Sequence, residues 1–261
     1  MARVWIALLA ALSPLAVAAQ QSVEHRIRPV ADATIYAQQD GSTALDATAD
    51  GKGPNLWTSV IASGATRRAL LRFDLSTIPP GSQVESVQLE LFEIRARDEH
   101  VVSVHRMLAS WGEGASNGGD AGVGAPAQAG DSTWSHRFWP KVLWAERGGD
   151  FAPSASAALL VGIGPAAFVW QSTPQLVADV QGWLAQPASN HGWILIGDDQ
   201  GLQNAKRFGS RENSADAGRP TLIVTVGAAP LASADGDIPL PPWALAMMAA
   251  ALGLALWRKQ R

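Results

Sequence analysis

The chain of 261 residues has no cysteine. That excludes disulfide stapling, thiol catalysis and every cysteine-ligated metal site, so stability has to come from an apolar core. The five His form neither a His-x-His nor a His-Glu-x-x-His pattern, which leaves metal-dependent hydrolysis without its ligand spacing. His100 and His105 would fall on opposite faces of a strand. There is no Gly-x-Ser-x-Gly elbow, no Gly-x-x-x-x-Gly-Lys-Ser/Thr loop, and no Gly-x-Gly-x-x-Gly after a strand. Acyl transfer, phosphate cradling and dinucleotide binding therefore lose their usual signatures. Basic runs are missing from the middle of the chain. The formal net charge is −3, and four of the 20 Lys and Arg lie in the two ends, so the body is more acidic than the total. An acidic body is a poor partner for the phosphates of nucleic acid.

Both ends carry what the body lacks, long apolar runs. The start, MARVWIALLAALSPLAVAAQQS, has Arg3, an apolar stretch from Val4 to about Leu12, and small residues at Ala16–Ala19. That is the order of a secretory signal peptide over residues 1–19, with cleavage expected after Ala19 or Ala18. An uncut anchor is the competing reading, but the run is short for a span. The end, IPLPPWALAMMAAALGLALWRKQR, is apolar from Trp243 to Trp257. With Ile238–Pro242 it reaches about the 20 residues that a membrane span needs. Pro239, Pro241 and Pro242 suit only the entry of a helix. Trp243 and Trp257 suit the two interfaces, and Arg258, Lys259 and Arg261 the cytoplasmic side of an inner membrane. Residues 227–237 are rich in small residues and read as a flexible linker.

The body reads as strands. Ala69–Leu75 ends at a turn over Ile78–Gly81. Val84–Ile94 alternates, with Val87, Leu89 and Leu91 on one face and Gln88 and Glu90 on the other. Val101–Met107, Trp193–Gly197 and Thr221–Val226 are further strands. One helix is expected over Thr173–Gln186, with a Thr cap, Pro174 in the first turn, and Leu176, Val180, Trp183 and Leu184 on one side. There is no internal repeat, so residues 24–226 read as one all-β domain, a jelly-roll β-sandwich with one short helix. Gly112–Gly130 reads as a long Gly/Ala loop, either mobile or functional.

Eight stretches, in order, carry a resemblance: ADATIY (31–36), RRALLRFDLSTIPPGSQVESVQLELF (67–92), SWGEGASN (110–117), STW (132–134), GGDF (148–151), VQGWLAQPASNHGWILIGDD (180–199), RFGSREN (207–213) and RPTLIVTV (219–226). Together they resemble the DNRLRE-domain family, grouped with carbohydrate-binding modules of family 96. The resemblance implies a jelly-roll sandwich found in exported, surface and polysaccharide-handling proteins, with carbohydrate as the ligand class. The tail resembles the PEP-CTERM type of sorting signal of Gram-negative bacteria. Its start is closer to the IPTL-type variants, and no Glu stands in Ile238–Pro242. The resemblance implies an anchor cut by a sorting protease during export; otherwise the tail is a permanent inner-membrane anchor.

Tryptophan is what the sequence has in excess, 11 against six Phe and one Tyr. An indole offers a flat apolar face and one N–H donor, suited to a sugar ring or to a core. Trp111, Trp134, Trp183 and Trp193 read as packing residues. Trp139 and Trp144, followed by Trp170 and Trp57, read as candidate carbohydrate-binding plates, since polar side chains flank them. Calcium is the one cofactor to consider, with Asp32, Asp150, Asp198 and Asp199 as oxygen donors, although no Asp-x-Asp-x-Asp-Gly loop exists. Arg211 and Glu212 read as an ion pair pinning the last loop. The expectation is a non-catalytic exported protein, held at the inner membrane at least transiently and then at the cell surface or outside it. Polysaccharide is its expected partner, and nucleic acid is excluded. A purely structural envelope or biofilm protein, or a polysaccharide-degrading enzyme, is the alternative.

Overall fold

Alternation along β6 (Gln83–Arg95) organises the first of two sheets. Val84, Val87, Leu89 and Leu91 are buried on one side while their neighbours stay half-exposed or exposed. The computed structural model describes residues 22–227. The expected signal peptide, most of the linker, and the tail with Pro239, Pro241, Pro242, Trp243, Arg258, Lys259 and Arg261 lie outside the described residues. None of the described helices is long and apolar enough to cross a membrane.

On one side β6 pairs with β15 (Thr221–Gly227), which in turn pairs with β1 (Val23–Ile27). On the other side it pairs with β12 (Ala166–Trp170). Beyond the end of β15, β14 (Lys206–Gly209) continues beside β6 and pairs with β4 (Asn55–Val60). The second sheet runs β3 (Thr48–Asp50), β2 (Pro29–Gln38), β5 (Ala65–Phe73), β13 (Trp193–Ile196), β7 (His100–Arg106) and β11 (Ala157–Val161). The short β8 (Ala125–Pro126) adds to β3, and β9 (His136–Phe138) with β10 (Val142–Leu143) makes a separate hairpin. All pairs are antiparallel.

β4 belongs to both sheets. Asn55–Thr58 pair with β14, whereas Ser59 and Val60 pair with β5. The changeover falls on Ser59, which has φ +67°. A strand that switches sheets needs such a corner.

The main core lies between the sheets. Val87, Leu89, Leu222, Val224, Trp170 and Phe208 face Ala69, Leu71, Phe73, Val102, Val104 and Trp193. The helix α1 (Pro174–Ala185) closes this core with Leu176, Val180 and Trp183, and Leu184 packs against it half-buried. Its start is as expected: Thr173 Oγ1 accepts the Leu176 N–H at 3.0 Å, and Pro174 opens the first turn.

A second core covers the other face of the second sheet. Ala31, Ala33, Ile35, Leu70 and Ile194 point outward there and are roofed by Met107, Trp111 and Trp144. The roof comes from the long excursion between β7 and β11. Within it, the expected Gly/Ala loop is tied down. Asp131 accepts the N–H groups of Ala115, Ser116 and Gln128, and Asp50 accepts those of Gly53 and Gly118.

Candidate functional site

Of the four tryptophans expected to act as plates, two are committed to the cores. Trp170 is fully buried, donates its indole N–H to the Val102 carbonyl at 2.8 Å and meets Phe208 edge-on. Trp144 is buried in the second core and donates to the Thr133 carbonyl at 2.9 Å. Neither ring has a face free for a sugar. Periodicity could not reveal this, because both residues come from short or irregular segments. Trp139 stays half-buried beside the β9–β10 hairpin, edge-on to His136 with ring centroids 4.6 Å apart.

Trp57 is the tryptophan of the four that lines a groove. The groove, about 250 Å³, is formed by Trp57 and Ile61, by Arg95 at the end of β6 and Arg97 beyond it, and by Ala121 and Gln203. Trp57 is 9% exposed. Its indole is packed by Gly122, whose φ is +66° and where an added Cβ would lie 2.5 Å from the ring. Only a residue without a side chain lets the loop come so close.

Polar atoms gather around this indole. The guanidinium carbons of Arg67 and Arg207 lie 5.8 and 5.6 Å from its ring centroid. Arg67 is fully buried and donates to the carbonyls of Gly122 and Ala65. Desolvation lowers its pKa to about 10. Arg207 Nη2 and Asn55 Nδ2 both donate to Asp120 Oδ1, at 2.8 and 2.9 Å. Trp57 Nε1, Arg207 Nε and Asn55 Oδ1 are buried and without a hydrogen-bond partner among the described residues. On the rim, Arg97 donates to Gln203 Oε1 at 2.6 Å. The groove itself can therefore offer an apolar aromatic edge and the guanidinium groups of Arg95 and Arg97 to a polar ligand.

The aspartates expected to hold calcium are not brought together. Asp150 accepts the N–H groups of Ala145 and Glu146, and Asp198 those of Gln200 and Gly201. Asp199 accepts Arg68 Nη2 at 2.8 Å. Burial raises its pKa, and Arg68 opposes that rise.

Asp32 instead meets two other carboxylates, Glu212, read above only as an ion-pair partner, and Glu113, which the sequence did not single out, with one oxygen from each within 4.8 Å of the others. Arg211 and Lys52 occupy this acidic cluster. Arg211 Nε donates to Glu113 Oε1 at 2.6 Å and lies 3.0 Å from Glu212 Oε1, while Lys52 Nζ contacts Glu113 and lies 3.5 Å from Glu212. The expected Arg211–Glu212 pair is present, but it joins neighbours in the chain; the last loop is held by Arg211 on Glu113 and by Ser210 and Asn213, bonded to the carbonyls of Gly53 and Pro54. With two cations among three acids, the donor set suits an internal ion-pair network better than a divalent ion. Asp32, 2% exposed, has its pKa pushed well up by desolvation, although the Arg211 backbone N–H pulls the other way.

Ser59 Oγ lies 2.8 Å from His100 Nε2, and Asp98 Oδ1 lies 3.4 Å from His100 Nδ1. These residues come from β4, from β7 and from the turn before it, so no local motif announces them. Ser59 is fully buried and pressed by Gly197, so no substrate carbonyl reaches its hydroxyl. Neither a family model nor a curated protein sequence matches the chain.

Proposed function

We propose that this is an exported, surface-associated, non-catalytic protein whose single jelly-roll domain binds polysaccharide through the groove at Trp57. The observation that carries the reading is the groove itself, where the Trp57 indole is bordered by Arg95, Arg97 and Gln203. Sugar recognition needs an apolar aromatic contact with convergent polar groups around it. The amino-terminal and carboxy-terminal apolar runs supply export and an inner-membrane hold, with a sorting protease as the partner that would release the domain. The clustered carboxylates Asp32, Glu113 and Glu212 are engaged by Lys52 and Arg211, which argues against a free acid–base pair for glycan cleavage.

Affinity electrophoresis of the full chain in gels cast with different polysaccharides tests the binding. Retardation by at least one polymer is expected. It is lost in the Arg95→Ala/Arg97→Ala double variant at unchanged melting temperature and kept in Trp139→Ala. Retardation by no polymer, or retardation abolished only by Trp139→Ala, removes the Trp57 groove from the reading. Mass spectrometry of the mature termini tests the export assignment separately.

A further inference from the structure

Glu113 is contacted by two cations from distant parts of the chain. Arg211 binds it through Nε and, at 3.1 Å, through Nη2, which is ordinary guanidinium–carboxylate pairing. Lys52 differs, because it brings a primary amine to the same carboxyl group. The chain offers no other such contact among its described lysines. Lys141 is exposed, and Lys206 Nζ donates to the backbone carbonyls of Asp98 and Gly162, with the nearest carboxylate oxygen 4.0 Å away.

Two further carboxyl groups flank the Lys52–Glu113 contact. Glu212 Oε1 is 3.5 Å from Lys52 Nζ, and Glu212 Oε2 is buried with no partner. Asp32 stands on the other side, its backbone N–H donating to Glu113 Oε1 at 3.0 Å. We propose that Lys52 and Glu113 are joined by an intramolecular isopeptide bond, formed by the folded protein itself from this cluster of side chains.

The step balances without an outside reagent. Glu212 takes a proton from the Lys52 ammonium, and the freed Nζ lone pair attacks Glu113 Cδ. The negative charge on the tetrahedral adduct rests against the Arg211 N–H groups. Asp32, whose burial favours its protonated form, gives a proton to the departing oxygen. The C–O bond breaks, the nitrogen's second proton restores the Asp32 carboxyl, and the proton held by Glu212 turns the departing hydroxide into water, which leaves Glu212 a carboxylate again. One ammonium and one carboxylate become one amide and one water. The bond would tie the turn after β3 to the start of the long excursion, closing a loop that spans β4 to β7. Such a cross-link restricts the unfolded chain as a disulfide does, in a protein with no cysteine.

Peptide mapping of the full-length protein by mass spectrometry tests this. A branched tryptic product is expected that joins the Lys52 and Glu113 peptides, at their summed mass minus one water, with no cleavage after Lys52. Glu113→Gln gives the same branched product by loss of ammonia. In Asp32→Asn the two separate peptides reappear. Recovery of only unlinked Lys52 and Glu113 peptides from the wild-type protein overturns the proposal, whatever the folding of the variants. A branched product that persists unchanged in Asp32→Asn overturns the part assigned to Asp32.

Discussion

The guanidinium of Arg67 lies under the indole of Trp57, its carbon 5.8 Å from the ring centroid, and no carboxylate among the described residues pairs with it. Its charge is met by two carbonyls, those of Gly122 and Ala65, and by the ring of Tyr36 at 5.4 Å. The pair therefore fixes two things at once, the floor of the groove and the loop over it.

Replacing Arg67 tests how that charge is held. Arg67→Lys keeps a desolvated charge but loses the planar fork, so it should destabilise by about 2–4 kcal/mol. Arg67→Met also strands the Gly122 carbonyl, yet it removes the buried charge and should cost less than the Lys variant. Urea unfolding midpoints of the two variants give the order. A Lys variant as stable as the wild type would mean that the fork is not what holds the loop.

Gly122 and Gly119 both have positive φ, +66° and +62°. An added Cβ at Gly122 meets Trp57 at 2.5 Å, whereas at Gly119 it meets nothing within 4 Å. Gly119→Ala should cost only the left-handed backbone penalty, about 1–2 kcal/mol. Gly122→Ala should cost that plus the displacement of the loop from the indole, and should shift the tryptophan emission. Equal losses of melting temperature would show that the loop yields freely.

Strand alternation made β6 legible, because Val87, Leu89 and Leu91 alternate with polar neighbours, whereas β15 was legible as a short apolar run. The helix was legible from Thr173 and Pro174, whose local chemistry decides its start. The bounds of β5 were less so: the strand runs Ala65–Phe73, not Ala69–Leu75, since the buried Arg67 masks its apolar pattern. The second core was hidden for a related reason. β2 is buried on both faces, and a strand with two covered faces shows no alternation. At the candidate site, Trp57 was named, but behind Trp139 and Trp144 and level with Trp170. Only tertiary packing distinguishes an indole that spends its N–H on a core carbonyl from one that does not. The meeting of Asp32, Glu113, Glu212 and Lys52 joins four separate segments, which no local pattern records.

Burial raises the pKa values of Asp32, Asp50, Asp199 and Glu93. For these groups the folded state keeps protons that the unfolded state has released. Their contribution is fully present below the unfolded value, 3.8 for the aspartates, and is lost as pH rises through the raised folded values. His100 and His191 act oppositely: desolvation lowers both, so stability drains away as pH falls below 6.5. Asp50→Asn isolates one component. The stability of the wild type relative to this variant should be more favourable at about pH 4 than at about pH 7, read from denaturant titrations at each pH. The reverse trend would show that Asp50 is stabilised as a carboxylate by the Gly118 and Gly53 N–H groups.

Trp57 and Trp170 should separate binding from folding. The Trp170 N–H is spent on Val102 at 2.8 Å inside the main core. Trp170→Phe strands that carbonyl and leaves a gap, so stability should fall by about 2–4 kcal/mol, while polysaccharide retardation of the folded fraction stays as it was. The Trp57 N–H has no partner to lose, and its ring edge borders the groove. Trp57→Phe should therefore lower the melting temperature less than Trp170→Phe, yet weaken retardation by shortening the aromatic edge that borders the groove. Melting curves and affinity gels on the same preparations make the comparison. If Trp57→Phe destabilises as strongly as Trp170→Phe and leaves retardation unchanged, the indole at the groove is a packing residue like the others.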